Sequence, residues 1–283
     1  VTKTEALMPT FATLASASDP RFEPFRDLRD RDARGRDGEF IVEGEVVLRA
    51  ALAARPELVR VVLLLDKRRE KLADALALLP ETTPVLLADE ATMSEVVGFP
   101  IHRGILALAR RPAPVTARDL LGSVGPRAVV VGISGVTNHD NVGGIFRSAA
   151  AFGASAVVLD RASCDPLYRK ALRVSVGASC RVPFAFVDSE AELVDALVDA
   201  GFTPYALSPR GAEDLRDVRV DALPERVALV CGAEGPGLSE VTLARVRGLR
   251  MTMAEGWDSL NVSVAAGIAL HAMSRAPLRS RTT

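Results

Sequence analysis

The sequence is poor in lysine, cysteine, histidine and aromatic residues, and each shortage excludes something. Only Lys3, Lys67, Lys71 and Lys170 are lysines among 35 basic residues, so the remainder are arginine. A GC-rich genome accounts for such a skew, and so does a need for guanidinium groups that grip phosphate oxygens bidentately. Composition does not separate the two. The three cysteines, Cys164, Cys180 and Cys231, are far apart and form no C-x-x-C pair, which argues against a structural zinc site and a disulfide framework and for a reducing compartment. His102, His139 and His271 are equally isolated, so no metal is expected. The longest apolar stretch near the C-terminus, Val262 to Met273, is interrupted by Ser263 and His271 and falls far short of the ~20 residues that span a bilayer. The N-terminus lacks a basic-then-apolar leader, so the expected location is cytoplasmic, with no membrane partner. An excess of one charge is missing too: 35 basic residues face 36 acidic ones, for a net charge of −1. Nothing global therefore advertises nucleic acid.

What is present describes a soluble protein. A chain of 283 residues, 48% apolar and 25% charged, suits two domains of ~100–160 residues each. Residues 1–20 are small and polar and read as a loose tail. The run from Arg21 to Gly38 mixes six arginines with five acids. A helical pattern over Glu43–Arg55 follows, then a strand at Val59–Leu65, an amphipathic helix at Lys67–Leu79, a strand at Val85–Leu87, a helix at Ala91–Val97 and a strand at Ile105–Ala109. This makes a small α/β domain over 21–111. The Pro- and Gly-bearing stretch 112–126 reads as a linker. From 127 to 283 the alternation restarts with strands at Ala128–Ile133, Ala156–Leu159, Val182–Val187, Thr203–Leu207, Val227–Cys231 and Leu249–Met253. Helices at Asn141–Phe152, Glu190–Ala200 and Ser259–Ser274 complete it. Such alternation implies a largely parallel sheet covered on both faces.

Ligands of open parallel sheets bind at the carboxyl ends of strands, so the segments following strands are the ones to inspect. After Ile133 come polar turn residues, Asn141, Gly143, Gly144 and Arg147. Val142, Ile145, Ala149 and Phe152 supply a core face, and Arg147 lies off it. This is either a capped helix with a surface arginine or a site into which Asn141 and Arg147 project. After Cys231 comes Gly232-Ala-Glu234-Gly235-Pro-Gly237. It is neither a P-loop nor a G-x-G-x-x-G fingerprint; a backbone-lined cup and a plain tight turn both suit it. After Met253 comes Ala-Glu255-Gly-Trp257-Asp258-Ser259-Leu260-Asn261. Asp258 or Ser259 is expected to cap the last helix, which leaves Asn261 without a structural reason.

Taken together, N141-x-G-x-x-x-R147, G232-x-E234-G-x-G-L and S259-L-N261-V, each at a strand end and in this order, resemble the SpoU/TrmH family of RNA ribose 2′-O-methyltransferases in the SPOUT superfamily. The resemblance extends to Ala171-Leu-Arg173-Val-Ser175-Val-Gly177 and, in the first domain, to Phe40-Ile-Val-Glu43-Gly44 and His102-Arg103-Gly104-Ile. It implies an α/β protein with a small ribosomal-protein-like α/β N-terminal domain that recognises RNA. A parallel-sheet SPOUT catalytic domain with a C-terminal trefoil knot would follow. It also implies a homodimer and S-adenosylmethionine as cofactor. Leu207, Gly232, Glu234, Gly235, Gly237, Met251, Met253 and Leu260 would hold that cofactor. Arg147, Asn141, Glu234, Ser259 and Asn261 fall on the family's functional positions, with Glu234 either holding the Gly-rich loop or orienting Arg147. The RNA contacts would include Arg34, Arg103, Arg169, Lys170 and Arg173, and the two-domain arrangement points to ribosomal RNA ahead of transfer RNA. Three residues depart from the family pattern: Thr252 stands where proline is usual, Glu255 where a small residue is usual and Trp257 where an aliphatic is usual.

Locally, the near-zero net charge hides basic stretches. Arg161, Arg169, Lys170, Arg173 and Arg181 face only Asp165 between 161 and 181, and Arg275, Arg279 and Arg281 are uncompensated. A silent RNA-binding relative would carry the same stretches without the Asn141–Arg147–Glu234–Ser259–Asn261 set. A nucleotide-dependent oxidoreductase is disfavoured by the missing dinucleotide fingerprint.

Overall fold

The structure is a computed structural model that describes residues 10–26, 28 and 38–274. In chain order the elements are β1 (Phe11–Thr13), β2 (Glu39–Glu43), α1 (Glu45–Ala54), β3 (Val59–Leu65), α2 (Ala73–Leu76), β4 (Val85–Ala88), α3 (Glu90–Val97), β5 (Ile105–Arg110) and α4 (Ala117–Gly122). Then come β6 (Ala128–Ile133), α5 (His139–Ala151), β7 (Ala156–Asp160), α6 (Arg169–Val174), β8 (Phe184–Val187), α7 (Glu190–Asp199) and β9 (Thr203–Leu207). The chain ends with β10 (Glu213–Asp214), β11 (Arg226–Cys231), α8 (Glu240–Leu243), β12 (Arg247–Arg250) and α9 (Val262–Met273). Two compact units result: Val1–Ala113 with Leu167–Arg181, and Pro114–Pro166 with Val182–Thr283.

The first unit is built on a five-stranded mixed sheet of order β1-β4-β3-β5-β2. The apolar run Val59–Leu65 makes β3 its central strand, parallel to β4 and antiparallel to β5. Phe22, Phe25, Leu63, Met93, Val97 and Leu106 pack one core of this unit. The expected loose tail is not loose throughout: Phe11-Ala-Thr pairs in parallel with Val85-Leu-Leu as an edge strand, and Leu14 is buried beyond it. The helix expected over Lys67–Leu79 is mostly tight turns. Two 3-10 turns, Asp66–Arg68 and Glu70–Leu72, precede the four-residue α2. The apolar spacing was real, since Leu72, Ala75, Leu76 and Leu79 are all buried. After Leu76 the chain tightens into turns, Leu78 N to Ala75 O at 3.1 Å and Leu79 N to Leu76 O at 3.0 Å, ahead of Pro80.

The second unit carries a seven-stranded sheet of order β10-β12-β9-β11-β6-β7-β8, parallel throughout. Its central strands β6 and β11 are buried along most of their length, as their unbroken Val/Ala/Leu runs demand of a sheet covered on both faces. Part of the expected linker belongs to this unit. Thr116 accepts a hydrogen bond from the Asp119 amide and so caps α4, while Ala117, Leu120 and Leu121 enter the core. Spacing i, i+3, i+4 gives that short helix a buried face. The last strand lies at Arg247–Arg250, earlier than the expected Leu249–Met253, and leaves 251–261 as loop. None of the helices among the described residues is long and apolar enough to cross a membrane.

The departure with most consequence is the segment Leu167–Arg181. It lies in sequence between β7 and β8, yet it packs with the first unit. The helix α6 ends in a pair of closing bonds, Val176 N to Arg173 O at 3.2 Å and Gly177 N to Leu172 O at 3.0 Å. Val176 adopts φ +50 there, a left-handed position that costs a β-branched residue about 1–2 kcal/mol. Gly177 then fits against Val47 and Ala50 of α1, where an added Cβ would lie 2.5 Å from the Ala50 methyl.

Candidate functional site

In the second unit, β6 and β11 pair so that Ile133 lies opposite Cys231. The loops leaving their carboxyl ends therefore emerge side by side, and Ser134 N donates to Cys231 O at 2.9 Å. One loop leads to Asn141 in the first turn of α5. The other is the glycine turn, closed by Gly237 N to Ala233 O at 3.1 Å. Gly232 must lack a side chain because a Cβ would lie 2.6 Å from the Leu238 amide nitrogen. The segment is thus both the tight turn and the support of an outward-facing carboxylate.

That carboxylate meets two amides. Asn141 Nδ2 donates to Glu234 Oε1 at 2.6 Å, Asn261 Nδ2 donates to Asn141 Oδ1 at 2.8 Å, and Asn261 Nδ2 also reaches Glu234 Oε1 at 3.3 Å. Asn141 is buried, whereas Glu234 is exposed. The sequence expectation about capping is corrected here. Neither Asp258 nor Ser259 caps the last helix; Asn261 does, its Oδ1 accepting from Ser263 N at 3.0 Å and Val264 N at 3.3 Å. One face of the Asn261 amide starts α9 and the other completes the cluster. Ser259 is exposed on the loop before it and is not brought into the cluster.

Arg147 lies six residues beyond Asn141 on α5, about 9 Å along the axis at 1.5 Å per residue. It is exposed, has no hydrogen-bond or ion-pair partner among the described residues, and does not touch Glu234. Of the two roles expected for Glu234, orienting Arg147 has no contact behind it, and the carboxylate is engaged by the Asn141 and Asn261 amides. Arg147 instead lines an open groove of about 530 Å³ with Gly144, Ser148, Ser263, Val264, Ile268 and His271. The groove exists because α5 and α9 approach closely. A Cβ on Gly144 would lie 2.7 Å from Ser263 Cβ, and one on Gly267 would lie 3.0 Å from Ser148 Oγ. Contacts 144 to 263 and 148 to 267 advance together, so the two helices run parallel.

The expected cofactor positions lie at strand ends and in loops of the second unit. Leu207 ends β9, Met251 and Met253 are half-buried after β12, and Leu260 is exposed beside Asn261. Gly235 and Gly237 adopt φ +88 and +70 with open space beside them. Thr252 is held by its hydroxyl on the Asp214 carboxylate and by Arg216 Nη2 on its carbonyl at 3.3 Å. Glu255 and Trp257 are exposed, Trp257 at 75%, and nothing in the structure explains either choice of residue.

Arg34 lies outside the described residues, as do Arg275, Arg279 and Arg281. Arg103, Arg169, Lys170 and Arg173 all belong to the first unit, the last three through the segment Leu167–Arg181.

One network escaped the sequence reading. The buried Asp160, at the end of β7, accepts from Ser134 Oγ at 2.6 Å, Gly135 N at 3.0 Å, Ser163 N at 2.9 Å and Ser163 Oγ at 2.8 Å. Ser134 Oγ also lies 3.0 Å from Glu190 Oε2, and Glu190 Oε1 takes the Ser239 amide at 3.0 Å. Burial alone would raise the Glu190 carboxyl, but hydrogen bonds from Ser239, Thr242 and Ser134 bring it below the usual range. The network ties the loop after β6 to the far end of the glycine turn. An acid closing an apolar strand, as Asp160 does, was the available signal. Thiol chemistry has no support: burial raises Cys164 to about 11 and both Cys180 and Cys231 to about 12. No cluster of metal-ligating side chains occurs among the described residues.

Comparison with known proteins converges with this geometry. The chain is 40% identical over 267 residues to an uncharacterised tRNA/rRNA methyltransferase of Mycobacterium bovis, covering 91% of this chain and 89% of that protein. It is 30% identical to the 23S rRNA (guanosine-2′-O-)-methyltransferase RlmB of Acinetobacter baylyi, covering 74% and 85%. Among solved structures, the SpoU methyltransferase AviRb from Streptomyces viridochromogenes, in complex with AdoMet, superposes with a TM-score of 0.71 at 26% identity, over 90% of this chain and 97% of that one. The stretch that builds the amide–carboxylate cluster, residues 128–271, matches the SpoU rRNA Methylase family, and the chain belongs to that family.

Proposed function

We propose that this protein transfers a methyl group from S-adenosylmethionine to a ribose 2′-hydroxyl of RNA, with ribosomal RNA as the substrate. The observation that carries the reading is the Asn141–Glu234–Asn261 cluster, set at the carboxyl ends of parallel strands with an unpaired arginine on the same helix. The residues present suit the cofactor. Glu234 is held by neutral amides, so its negative charge is left for a cationic ligand, and Met251, Met253 and Leu260 offer apolar cover. When bound, the cofactor supplies an electrophilic methyl on a sulfonium. The protein has to hold the acceptor oxygen in line, and positioning of this kind is worth several kcal/mol of barrier. Arg147 contributes a guanidinium, a poor base by its chemistry. It orients the hydroxyl and a neighbouring phosphate, while the proton leaves to a phosphate oxygen or water. The Asn141 and Asn261 amides fix the turn that carries Glu234.

RlmB relatives that methylate a guanosine 2′-oxygen of 23S rRNA support both the ribose oxygen and the ribosomal substrate. A homodimer is part of the proposal: Leu260, Val264 and Ile268 are exposed by 46%, 50% and 45% along the loop and helix that flank the groove, a patch that favours a second copy. So is the C-terminal knot, which would gather the turn at 232–237 and the loop at 251–261. Mapping alkali-resistant linkages in ribosomal and transfer RNA, with and without the gene, tests the reading. One new linkage in ribosomal RNA supports it, one in transfer RNA moves the substrate, and none in either removes the enzyme.

A further inference from the structure

Ser134 stands one residue past β6, and its amide and hydroxyl reach the ends of three other elements of the second unit. The amide donates to Cys231 O, at the end of β11, at 2.9 Å. The hydroxyl lies 2.6 Å from Asp160 Oδ2, at the end of β7, and 3.0 Å from Glu190 Oε2, at the start of the helix that follows β8. Since β11, β6, β7 and β8 are neighbours in the sheet, one serine gathers four adjacent strands at their carboxyl edge. The same contacts bracket the glycine turn. At its entry, Gly135 takes φ +66 against Ala233, where an added Cβ would lie 3.2 Å from the Ala233 methyl. At its exit, Glu190 Oε1 accepts from the amide and the hydroxyl of Ser239, and Ser239 Oγ caps α8 through Thr242 N at 3.2 Å. Glu234 lies between these two holds. The loop that leads to Asn141 is gripped as well: Gly135 N donates to Asp160 Oδ1 at 3.0 Å and Val136 N to Ser163 Oγ at 3.2 Å.

Resting on the methyl-transfer reading, we propose that Ser134 and Glu190 are positioning residues, which set the separation between the loop that delivers Asn141 and the turn that delivers Glu234. Neither belongs to the amide–carboxylate cluster; each acts on it through a backbone segment. Their part is one of shape and hydrogen bonding rather than charge. A hydroxyl carries one hydrogen, so the Ser134 hydrogen is divided between two carboxylates. A glutamine at 190 relieves that division, because its Nε2 donates to Ser134 Oγ while its oxygen still accepts from Ser239. An alanine at 190 releases the turn exit and the loop together.

The test is methyl transfer to ribosomal RNA by the full chain, with kcat separated from the KM for RNA and every variant assayed well below its thermal midpoint. E190A and S134A should each lower kcat about ten- to hundredfold, the cost of misplacing groups by about 1 Å near a reacting centre, and should move the RNA KM less than about twofold. E190Q should recover most of the E190A loss. The double variant E190A/S134A should lose little more than the worse single one, because both residues set one separation. A merely structural role predicts lower thermal midpoints at unchanged kcat. Parent-like kcat in E190A and S134A therefore overturns the assignment, and so does an E190Q as impaired as E190A. If E190A fails to fold, S134A decides by the same measure. The NMR signals of the Asn141 and Asn261 side-chain amides give a readout that needs no turnover: they should shift in E190A and return in E190Q. A parent without methyl transfer whose amide signals respond in this way sinks the methyl-transfer reading alone. Transfer by the parent, with signals and kcat unmoved in the variants, sinks the positioning role alone.

Discussion

Glu43-Gly44 in the first unit and Glu234-Gly235 in the second are the same dipeptide, with the glycines at φ +91 and +88. Their carboxylates are partnered in opposite ways. Glu234 is held by the neutral amides of Asn141 and Asn261, so its full negative charge remains. Glu43 is buried, 3.6 Å from Arg169 and 3.7 Å from Arg173, so cations take up its charge. The same acid thus keeps its charge in one place and shares it in the other. Neutral partners fix geometry without cancelling charge, and charged partners fix geometry by exchanging it. The first arrangement leaves a carboxylate open to a cationic group, whereas in the second the carboxylate is already paired with cations.

The largest effect should come from cutting the amide side of the comparison. Asn261→Ala removes a helix cap, worth about 1 kcal/mol, and frees Asn141 and Glu234 to move. Displacements of that kind near a reacting centre cost on the order of 100-fold. We expect methyl transfer to RNA to fall by that much while the thermal midpoint drops by a few degrees. Turnover within a few-fold of the parent would mean that the cluster is a cap and nothing more.

Asn261 also shows what was legible beforehand. Its place in a motif marked it as functional, and its capping role was missed because two better-looking caps, Asp258 and Ser259, stood just upstream. The chain was expected to enter the helix three residues too early. Strands were the clearest feature: Val59–Leu65, Ala128–Ile133 and Thr203–Leu207 are as expected, because apolar β-branched runs between breakers have few other uses. The strand-end rule put Asn141, Glu234 and Asn261 among the residues to inspect, and the family resemblance singled them out together. The approach of Arg169 and Arg173 to Glu43 was not legible, since they lie more than a hundred residues away and reach it only by the return of Leu167–Arg181. Local spacing carries no information on such a return. The short pieces were missed for a related reason: β1 and α4 each gain their stability from tertiary packing rather than from a pattern long enough to stand out.

Next in size are the two glycines. Alanine at Gly44 or Gly235 forces a side chain into positive φ, at about 1–3 kcal/mol each. The neighbourhoods differ: Gly44 would also crowd Arg103 at 3.1 Å, whereas Gly235 has nothing within reach. Gly44→Ala should therefore lower the urea midpoint more than Gly235→Ala. The reverse order would show that Arg103 does not lie over Gly44 in solution. Smaller again is Glu234→Gln, which keeps the shape and removes the charge. Cofactor affinity by calorimetry should fall about tenfold, or 1.4 kcal/mol. No change would mean that the field of Glu234 is not used.

The smallest effect tests whether the loop leading to Asn261 is fixed by exposed bonds. The Thr252 hydroxyl donates to Asp214, and this bond, followed by the Arg216 amide, holds the Asp214 carboxyl below the usual carboxylate range. A depressed carboxyl contributes stability above its unfolded pKa of about 3.9 and loses it as the pH falls through the lower folded value. Thr252→Val removes the main cause of the depression. The midpoint difference between variant and parent should accordingly be steady from neutral pH down to about 5 and shrink below about 4. Because the bond is exposed, that difference should amount to a degree or two, and cofactor affinity should change less than about threefold. A larger loss of affinity would place the rigidity of the 251–261 loop beside the amide cluster as a determinant of the negative site, with no counterpart at Glu43.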